Sequence, residues 1–501
     1  MTDLTDSNTP VIRRPAVAAA MALSFAVAFF YGWLLDIRFD EAFTLETTAH
    51  GVVHAFRQAI GFEQQAPLYF VLLSIWRMAG DGIFWARLFS VICAPLIVWA
   101  SAAASKRFLP RFDPMWVAFV TAIHTQVIWS ADEIRPYALM LLLAALVLVT
   151  FYDAYLSDKV TVGRRAAFVA VCIVSLYTQY YLGFLMAGCG IALLFAARGS
   201  IKRFAVDALV IAIAFVPMAL AVTGQVKTMA GHTEGVFGGL PLIRAVYQMA
   251  AVLVLPVEWL GDSPVKTWVV RAILAALGLF FVHQLIRRRQ REDVVLAVIA
   301  AVTILCFAAA NYGLGDLSIQ KRHFAVVLLP LLLITFVAVR SIGWRVISAD
   351  WAILLIALNL VQTADANRYL AKPGDPRRAA EYVMANESPN EPVLVFHSDA
   401  VLAIRQYYRG QNELVPLPAA NPFDTWDPRR NVIESEQQLA ERIDALPGNP
   451  KRFWLVTDGW CFQGSLLFNC DTLESYVERN YRVIIQKDLL EPTRIRLIER
   501  R

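Results

Sequence analysis

The chain has 501 residues, of which 58% are hydrophobic and 17% charged, and its mean hydropathy is +0.51. Soluble domains are roughly half apolar and about a quarter charged, so this composition excludes a soluble globular enzyme, a disordered protein and a disulfide scaffold. The apolar residues come in runs of roughly 17–22, as in membrane-spanning helices, and not in the ~10-residue alternating segments of an outer-membrane barrel. The net charge of +5 is small and does not suggest a nucleic-acid partner.

These runs predict a polytopic α-helical membrane protein with about eleven transmembrane helices. The predicted spans are Pro15–Leu35, 83–104, 114–131, 135–156, 166–180, 182–197, 204–222, 266–286, 294–312, 323–339 and 346–363. Another apolar stretch, Pro67–Ala79, is short for a span and is predicted to form an interfacial or re-entrant helix.

The basic residues predict the orientation of the chain, because lysine and arginine favour cytoplasmic loops. Every second predicted loop is basic, with clusters at Arg13–Arg14, Lys106–Arg111, Lys159–Arg165, Arg198–Arg203, Arg287–Arg291 and Arg340–Arg345. We therefore expect a multi-pass protein of the inner membrane with a cytoplasmic N-terminus. The outer loop 36–82, the middle loop 223–265 and the C-terminal tail would then lie on the periplasmic side.

The tail differs from the rest of the chain, and we divide the protein into a membrane part, 1–365, and an extracytoplasmic α/β domain, 366–501. The domain has predicted strands at 392–396, 453–456, 481–485 and 494–498 between predicted helices at 376–385, 399–408 and 434–446. No glycine-rich phosphate loop follows these strands, so a nucleotide site is not expected. Cys461 and Cys470 would lie in an oxidising compartment and are expected to form a disulfide, with two free thiols or a metal pair as alternatives.

Charged residues follow the first predicted span directly: Asp36, Arg38, Asp40 and Glu41. Carboxylates beside a bilayer are costly unless they are solvated, paired or functional. Asp40 and Glu41 would also suit a solvated first helical turn, stabilised by the helix dipole. A second acidic group favours a functional interpretation, because the end of the third predicted span brings more charges to the same face: Asp132, Glu133 and Arg135.

In their order and spacing, the motifs of the membrane part resemble the glycosyltransferase-C superfamily. The similar branch uses polyprenyl-phosphate sugars and includes protein O-mannosyltransferases and aminoarabinose transferases (glycosyltransferase families 39 and 83). Asp40-Glu41 matches its Asp-Glu pair, and Ala66-Pro67-Leu68-Tyr69 matches its Pro-Pro-Leu-Tyr helix. Further matching segments are Gly80–Ser90, Asp132–Tyr137, Tyr177–Tyr181 and Lys321–Phe324. Many relatives have histidine before the proline pair, where this chain has Gln65-Ala66.

The resemblance implies transfer of a sugar from a polyprenyl phosphate to a hydroxyl of a lipid, polysaccharide or protein. Asp40 would be the general base and Glu41 would orient it or bind the acceptor, while Glu133 or Asp132 would shape the acceptor side or hold a divalent cation. The candidates for binding the donor phosphate are Arg322, Lys321, Arg135 and Arg38, with Arg322 preferred because a guanidinium forms two parallel bonds. The candidate pocket residues are Gln65, Tyr69, Tyr137, Gln179, Tyr180 and Tyr181, although an interfacial aromatic belt also accounts for the tyrosines.

Other interpretations remain open at this stage. His50 and His54 have a spacing that permits metal ligation, but solvated or packed histidines are the expected state. His124 lies within a predicted span and is expected to be neutral and bonded to Gln126 or a neighbouring helix. The alternative functions are a transporter of a lipid or sugar, a membrane scaffold, and a polymerase or ligase of lipid-linked glycans. A transporter would be expected to place its charges near the bilayer midplane, whereas here they gather at one face.

Overall fold

The computed structural model describes residues 14–110, 112–233, 251, 253–288, 290–313, 320–340 and 345–501. The predicted basic residues Arg13, Arg111 and Arg289, and much of the predicted middle loop, lie outside this part of the chain.

Helices account for the first half of the described chain. They are α1 (Arg14–Leu34), α2 (Phe39–Thr47), α3 (Val52–Gly61), α4 (Leu68–Arg77), α5 (Ile83–Phe108), α6 (Pro114–Ala122), α7 (Thr125–Ala131), α8 (Tyr137–Phe151), α9 (Val162–Thr178), α10 (Leu182–Ala196) and α11 (Ile201–Thr233). A π-helical turn, Tyr152–Leu156, extends α8. Helix α4 occupies the short apolar stretch that was predicted as an interfacial helix.

The second half of the membrane part continues with α12 (Pro264–Arg288), α13 (Arg291–Gly313), α14 (Leu328–Arg340) and α15 (Arg345–Ala366). A helical turn, Lys321–Phe324, and a 3₁₀ turn, Ala325–Val327, lead into α14. Within the described residues, eight helices are long and apolar enough to cross a membrane, so a polytopic helical architecture is confirmed but the count of eleven is not. The predicted third span is divided into α6 and α7, because His124 caps α7 by accepting a hydrogen bond from the Gln126 backbone N–H.

Close helix packing holds the membrane part together. Helix α1 lies against α5 and α6, and α10 lies along α13. At Gly188 in α10, an added Cβ would lie 2.8 Å from the Ile299 carbonyl oxygen of α13. A small residue is therefore needed there for the two helices to approach this closely.

The loops that were predicted to be cytoplasmic form ion pairs with one another. Arg107 pairs with Asp153 at 2.6 Å, and Arg165 pairs with Asp207 at 2.6 Å. Arg340 donates to the Gln290 side chain at 3.0 Å. These contacts place the basic loops at one end of the bundle, as the alternation predicted. Which compartment this end faces remains a prediction.

The C-terminal residues form an α/β domain, as predicted. Its strands are β1 (Val393–Phe396), β2 (Leu414–Pro416), β3 (Arg452–Thr457), β4 (Phe462–Gln463), β5 (Leu466–Leu467), β6 (Tyr481–Asp488) and β7 (Arg494–Arg500), and its helices are α16 (Pro376–Asn386), α17 (Ala400–Tyr407), α18 (Glu436–Asp444) and α19 (Cys470–Asn480). The five-stranded sheet has the order β2-β1-β3-β7-β6, with β2, β1 and β3 parallel and the other pairs antiparallel. The sequence analysis did not predict β2, α19 or the β4–β5 hairpin.

Alternating side chains of the sheet form two apolar cores, one on each face. Leu394, Phe453 and Leu455 pack on one face, whereas Val395, Trp454 and Val456 pack on the other. Cys461 and Cys470 form a disulfide that joins the start of β4 to the start of α19, with Cα atoms 5.8 Å apart.

The α/β domain rests on the end of the membrane part opposite the basic loops, through specific contacts. The Ile37 backbone N–H donates to the Tyr407 hydroxyl at 3.0 Å, and Arg377 donates to the Leu34 carbonyl oxygen at 2.8 Å. Phe423 packs against Phe43 and Phe62 of the outer loop. Contacts between residues more than 300 positions apart thus cover the charged loop after α1.

Candidate active site

The charged loop becomes the start of α2, and this places Asp40 and Glu41 in the first helical turn. The Arg38 backbone N–H, at the N-cap, donates to Glu41 Oε2 at 3.0 Å. A glutamate three residues into a helix commonly satisfies the N-cap in this way. The interpretation as a helix start is therefore correct for the backbone, but the two carboxylates have very different surroundings.

Glu41 is completely buried and is held from several directions. Its Oε1 accepts from Arg87 at 2.9 Å and from the Ile134 backbone N–H at 3.0 Å, and its Oε2 pairs with Lys372. Arg87 also donates to the backbone carbonyl oxygens of the turn that follows α1. Burial alone would raise the pKa of Glu41, but Arg87 and Lys372 outweigh it and lower that pKa. Glu41 is thus an ionised link between α2, α5 and the start of the α/β domain.

Lys372 is the centre of this buried network. Its Nζ lies 3.2 Å from Glu133 Oε1 and donates to the Asp132 carbonyl oxygen at 2.8 Å. Its backbone N–H donates to Asp36 Oδ1 at 2.6 Å. Burial raises the pKa of Glu133, and the nearby Glu41 charge raises it further, while Lys372 opposes both effects. One ammonium group therefore balances two buried carboxylates.

Asp132 lies beside the network. It is buried, and its Oδ1 has no hydrogen-bond partner in the described part of the chain. Burial raises the pKa of Asp132 well above its usual value, which favours the neutral acid. Asp132 joins the network through its backbone, because its carbonyl oxygen accepts a hydrogen bond from Lys372.

Asp40 has a more open environment. Its side chain is 22% exposed, against 0% for Glu41, and its Oδ2 accepts from Arg322 at 2.8 Å. Burial opposes ionisation of Asp40, but Arg322 and then Arg135 outweigh it and lower the pKa of Asp40 below its usual value. Asp40 is therefore an ionised carboxylate that is partly exposed.

Arg135 forms three hydrogen bonds around the first turn of α2, which carries Asp40. It donates to Glu63 Oε2 at 2.7 Å, to the Thr44 hydroxyl at 2.9 Å and to the Asp40 carbonyl oxygen at 3.2 Å. All three bonds come from Nη1 of the buried Arg135 side chain and give it a positioning role at this turn. Its Nε has no hydrogen-bond partner among the described residues, so phosphate binding by Arg135 stays a prediction.

The other predicted phosphate ligands differ in their partners, and both Lys321 and Arg322 form ion pairs. Lys321 pairs with Glu258 at 2.6 Å, on the exposed side of the site. Arg322 lies over the Tyr137 ring at 5.6 Å, and its buried Nε has no hydrogen-bond partner within the described ranges. The same holds for the Nε of Arg38. Arg322 and Arg38 thus retain hydrogen-bonding capacity that a phosphate could use.

The predicted pocket residues do not form one group. Tyr137 lies beneath Arg322 and stacks on Trp129 at 5.4 Å, whereas Tyr69 is completely buried against Phe70 and Phe89.

The turn between α9 and α10 holds three more of these candidates. The Gln179 side chain accepts from the Tyr180 backbone N–H, and the Tyr180 hydroxyl donates to Gln225. The Tyr181 ring lies 5.0 Å from the ring of His323, next to Arg322 in sequence. The Gln225 side chain also donates to the Gln65 carbonyl oxygen, at 3.4 Å.

Sequence reasoning missed three residues of this network: Lys372, Arg87 and Glu63. Arg87 lies in the segment Gly80–Ser90 that the resemblance had marked, and a charge inside an apolar run was an available signal. Glu63 lies two residues before the marked Gln65-Ala66. Lys372 is a single lysine in the polar linker 367–375, and no sequence pattern separates it from a solvated one.

Within the described residues, no group of three histidine, cysteine, aspartate or glutamate side chains is arranged to hold a metal ion. The His50 and His54 rings contact each other at 5.0 Å, and His50 lies near Glu46. His124 accepts from Gln126 and lies 2.9 Å from the Leu253 carbonyl oxygen, as expected for a neutral, bonded histidine. The cation that contacts Glu133 in this structure is Lys372.

Comparison with solved structures identifies the fold. The chain superimposes on apo ArnT from Cupriavidus metallidurans with a TM-score of 0.60 and 13% identity, over 97% of this chain and 98% of that one. The chain therefore has the same fold as ArnT. ArnT bound to undecaprenyl phosphate gives a TM-score of 0.57 at 12% identity, over 97% and 98% of the two chains.

A third similar structure is the oligosaccharyltransferase AglB from Archaeoglobus fulgidus, in complex with an inhibitory peptide and a dolichol phosphate. Its TM-score is 0.51 at 12% identity, over 89% of this chain and 69% of that one. No protein-family model and no curated protein matches the sequence. The predicted resemblance is therefore confirmed at the level of the fold.

Proposed function

We propose that this protein is a membrane glycosyltransferase that moves a sugar from a polyprenyl-phosphate donor to an acceptor hydroxyl at the outer face of the inner membrane. The observation that carries this proposal is the contrast within one acidic group: Asp40 is ionised and open, whereas Glu41 and Glu133 are buried and bound to Lys372. The fold similarity to ArnT with undecaprenyl phosphate and to AglB with dolichol phosphate supports a lipid-phosphate donor.

In this mechanism Asp40 is the general base. The acceptor oxygen forms a bond to the anomeric carbon while its proton passes to the Asp40 carboxylate, and the bond from that carbon to the phosphate oxygen breaks. The products are the glycosylated acceptor and a polyprenyl phosphate, which carries the electron pair of the broken bond. A positioned carboxylate base contributes about 10²–10⁴ in rate.

Arg322 gives the donor a way to activate the base. In the structure Arg322 is bonded to Asp40, which keeps the Asp40 carboxylate a weak base. A donor phosphate that draws Arg322 away would remove this pairing and raise the pKa of Asp40, since a nearby opposite charge favours the ionised form. Arg38, with its buried Nε free among the described residues, is the second phosphate ligand in this proposal.

The buried network has a positioning role. The turn that carries Asp40 is fixed by four buried charged residues: Glu41, Glu133, Arg87 and Lys372. Lys372 also connects this turn to the linker of the α/β domain. A divalent cation is not required by this arrangement, because Lys372 supplies the positive charge at Glu133.

The proposal is tested with the purified protein in sealed lipid vesicles and a polyprenyl phosphate that carries a radiolabelled sugar. An envelope lipid or glycan fraction serves as the acceptor. We expect release of free polyprenyl phosphate together with label in the acceptor. Movement of intact donor across the bilayer without cleavage of the sugar–phosphate bond would instead identify a lipid transporter.

A further inference from the structure

The α/β domain carries an unusual surface on its β4–β5 hairpin, residues 460–468. Trp460, Phe462 and Leu467 are 50%, 53% and 65% exposed, and residues 459–469 contain no charged side chain. The other large apolar side chains exposed in residues 376–501 are Val483 and Ile484, on β6 at the end of the sheet. Exposed apolar side chains concentrated in so short a segment mark an interaction surface.

The hairpin is built so that these side chains point outward. Its base is closed by the Cys461–Cys470 disulfide and by the Phe468 backbone N–H, which donates to the Cys461 carbonyl oxygen at 2.9 Å. Phe468 itself is buried in the core, and its carbonyl oxygen accepts from the Ile433 backbone N–H. The disulfide and the buried Phe468 side chain fix the base of the hairpin. The apolar tip is therefore held in an exposed position and cannot fold back onto the core.

The position of the hairpin relative to the bilayer follows from contacts at the end of α1. Arg377 donates to the carbonyl oxygen of Leu34, the last residue of α1, and the Lys372 backbone N–H donates to Asp36 two residues later. An added Cβ on Gly374 would lie 3.1 Å from Asp458 Oδ1. Asp458 therefore lies close to the height at which the first span leaves the membrane.

Trp460 follows Asp458 by two residues, which extend at most about 7 Å. The interfacial layer on each side of the hydrocarbon core is roughly 5–8 Å thick. The hairpin thus begins at about the level of the lipid head groups, where tryptophan is enriched in membrane proteins.

We propose that the β4–β5 hairpin is a membrane anchor that places Trp460, Phe462 and Leu467 in the head-group region of the outer leaflet. The lack of charge in the hairpin suits the boundary between head groups and acyl chains, into which apolar side chains insert. The anchor would hold the edge of the α/β domain against the bilayer and keep Lys372 over the charged turn. This inference does not depend on the reaction that the site performs.

The test measures the depth of a spin label in the full-length protein, in nanodiscs of phosphatidylethanolamine and phosphatidylglycerol. Gln463→Cys places the label on the hairpin, and Leu467→Cys is a second site in case the first variant misfolds. Ala445→Cys is the control, because it follows Asp444, which pairs with Arg500 at the opposite end of the sheet. The parent chain measures background labelling of its buried or half-buried free cysteines, Cys93, Cys172, Cys189 and Cys306.

We expect the hairpin labels to be more accessible to molecular oxygen than to a water-soluble nickel chelate, and the control label to show the reverse. A hairpin label that is open to the nickel chelate would place the hairpin in water and overturn the proposal. Low accessibility to both reagents would also overturn it, because the hairpin would then be covered by protein, such as residues 234–250 or a partner.

Discussion

Charged side chains at the two ends of the membrane part differ in how deeply they are buried. At the end with the basic loops, Arg107–Asp153 and Arg165–Asp207 are partly exposed pairs between neighbouring segments. At the opposite end, Glu41, Glu133, Arg87 and Lys372 are buried in one network that joins segments from across the sequence. Buried ion pairs contribute little net stability because desolvation offsets their attraction. The charges at the end opposite the basic loops are therefore explained by the geometry that they impose on Asp40.

The largest expected effect comes from removing the centre of the network. Lys372→Met removes the cation that pairs with Glu133 and leaves Glu41 with Arg87 alone, and it should destabilise the fold by about 3–5 kcal/mol. Arg107→Met breaks a half-exposed pair at the other end and should cost about 0–1 kcal/mol. Thermal unfolding of both variants is measured in the same detergent. Equal losses of stability would mean that the ion pairs at the two ends contribute equally to the fold.

The donor side of the site is tested by Arg322→Lys. Lysine keeps the charge but cannot form two parallel bonds to a phosphate. The loss of one charged hydrogen bond should weaken donor binding about 10- to 100-fold, while the affinity for the acceptor stays near normal. Lys321→Arg is the matched control and should leave donor binding unchanged. If Arg322→Lys and Arg322→Ala both bind donor normally, Arg322 only anchors the chain.

The smallest effect concerns the acid at the contact between the α/β domain and the membrane part. Burial raises the pKa of Asp458 to about 8 from an ordinary value of 3.8. The folded state therefore keeps a proton that the unfolded chain releases first, and stability should fall as the pH rises from about 4 to 8, by at most about 1.4 kcal/mol per pH unit.

Asp458→Asn removes this titration and should flatten the fall in stability. The exposed Glu478→Gln serves as the control, because it should leave the pH profile unchanged. Chemical unfolding at several pH values provides the measurement. A profile for Asp458→Asn that matches the parent would show that Asp458 is solvated.

Most of the fold could be predicted from the sequence, because apolar run length and strand alternation are local signals. The elements near 376–386, 393–396 and 452–457 lie within a few residues of their predicted positions. The misses have physical causes: β2 and the hairpin are only two or three residues per strand, and α19 follows the disulfide hairpin directly.

The candidate site was partly predictable for a similar reason. Asp40, Arg135 and Arg322 could be found because they lie in motifs that match the family and at span ends predicted to face outward, where basic residues are disfavoured. The sequence could not show which of the two neighbouring acids, Asp40 or Glu41, is exposed. They differ in burial because three distant residues contact Glu41 in the folded chain: Arg87, Ile134 and Lys372. Such convergence depends on contacts between distant segments, and neither periodicity nor spacing carries that information.

The central claim, that Asp40 is the base and Glu41 a support, is tested most directly by measuring donor binding and sugar transfer on one preparation of Asp40→Asn. The account predicts that transfer falls by about 10²–10⁴, while donor binding is retained or strengthened because Arg322 is released from its partner. Glu46→Gln, a change to a more peripheral acid on the same helix, should transfer normally. Near-normal transfer by Asp40→Asn would contradict the account.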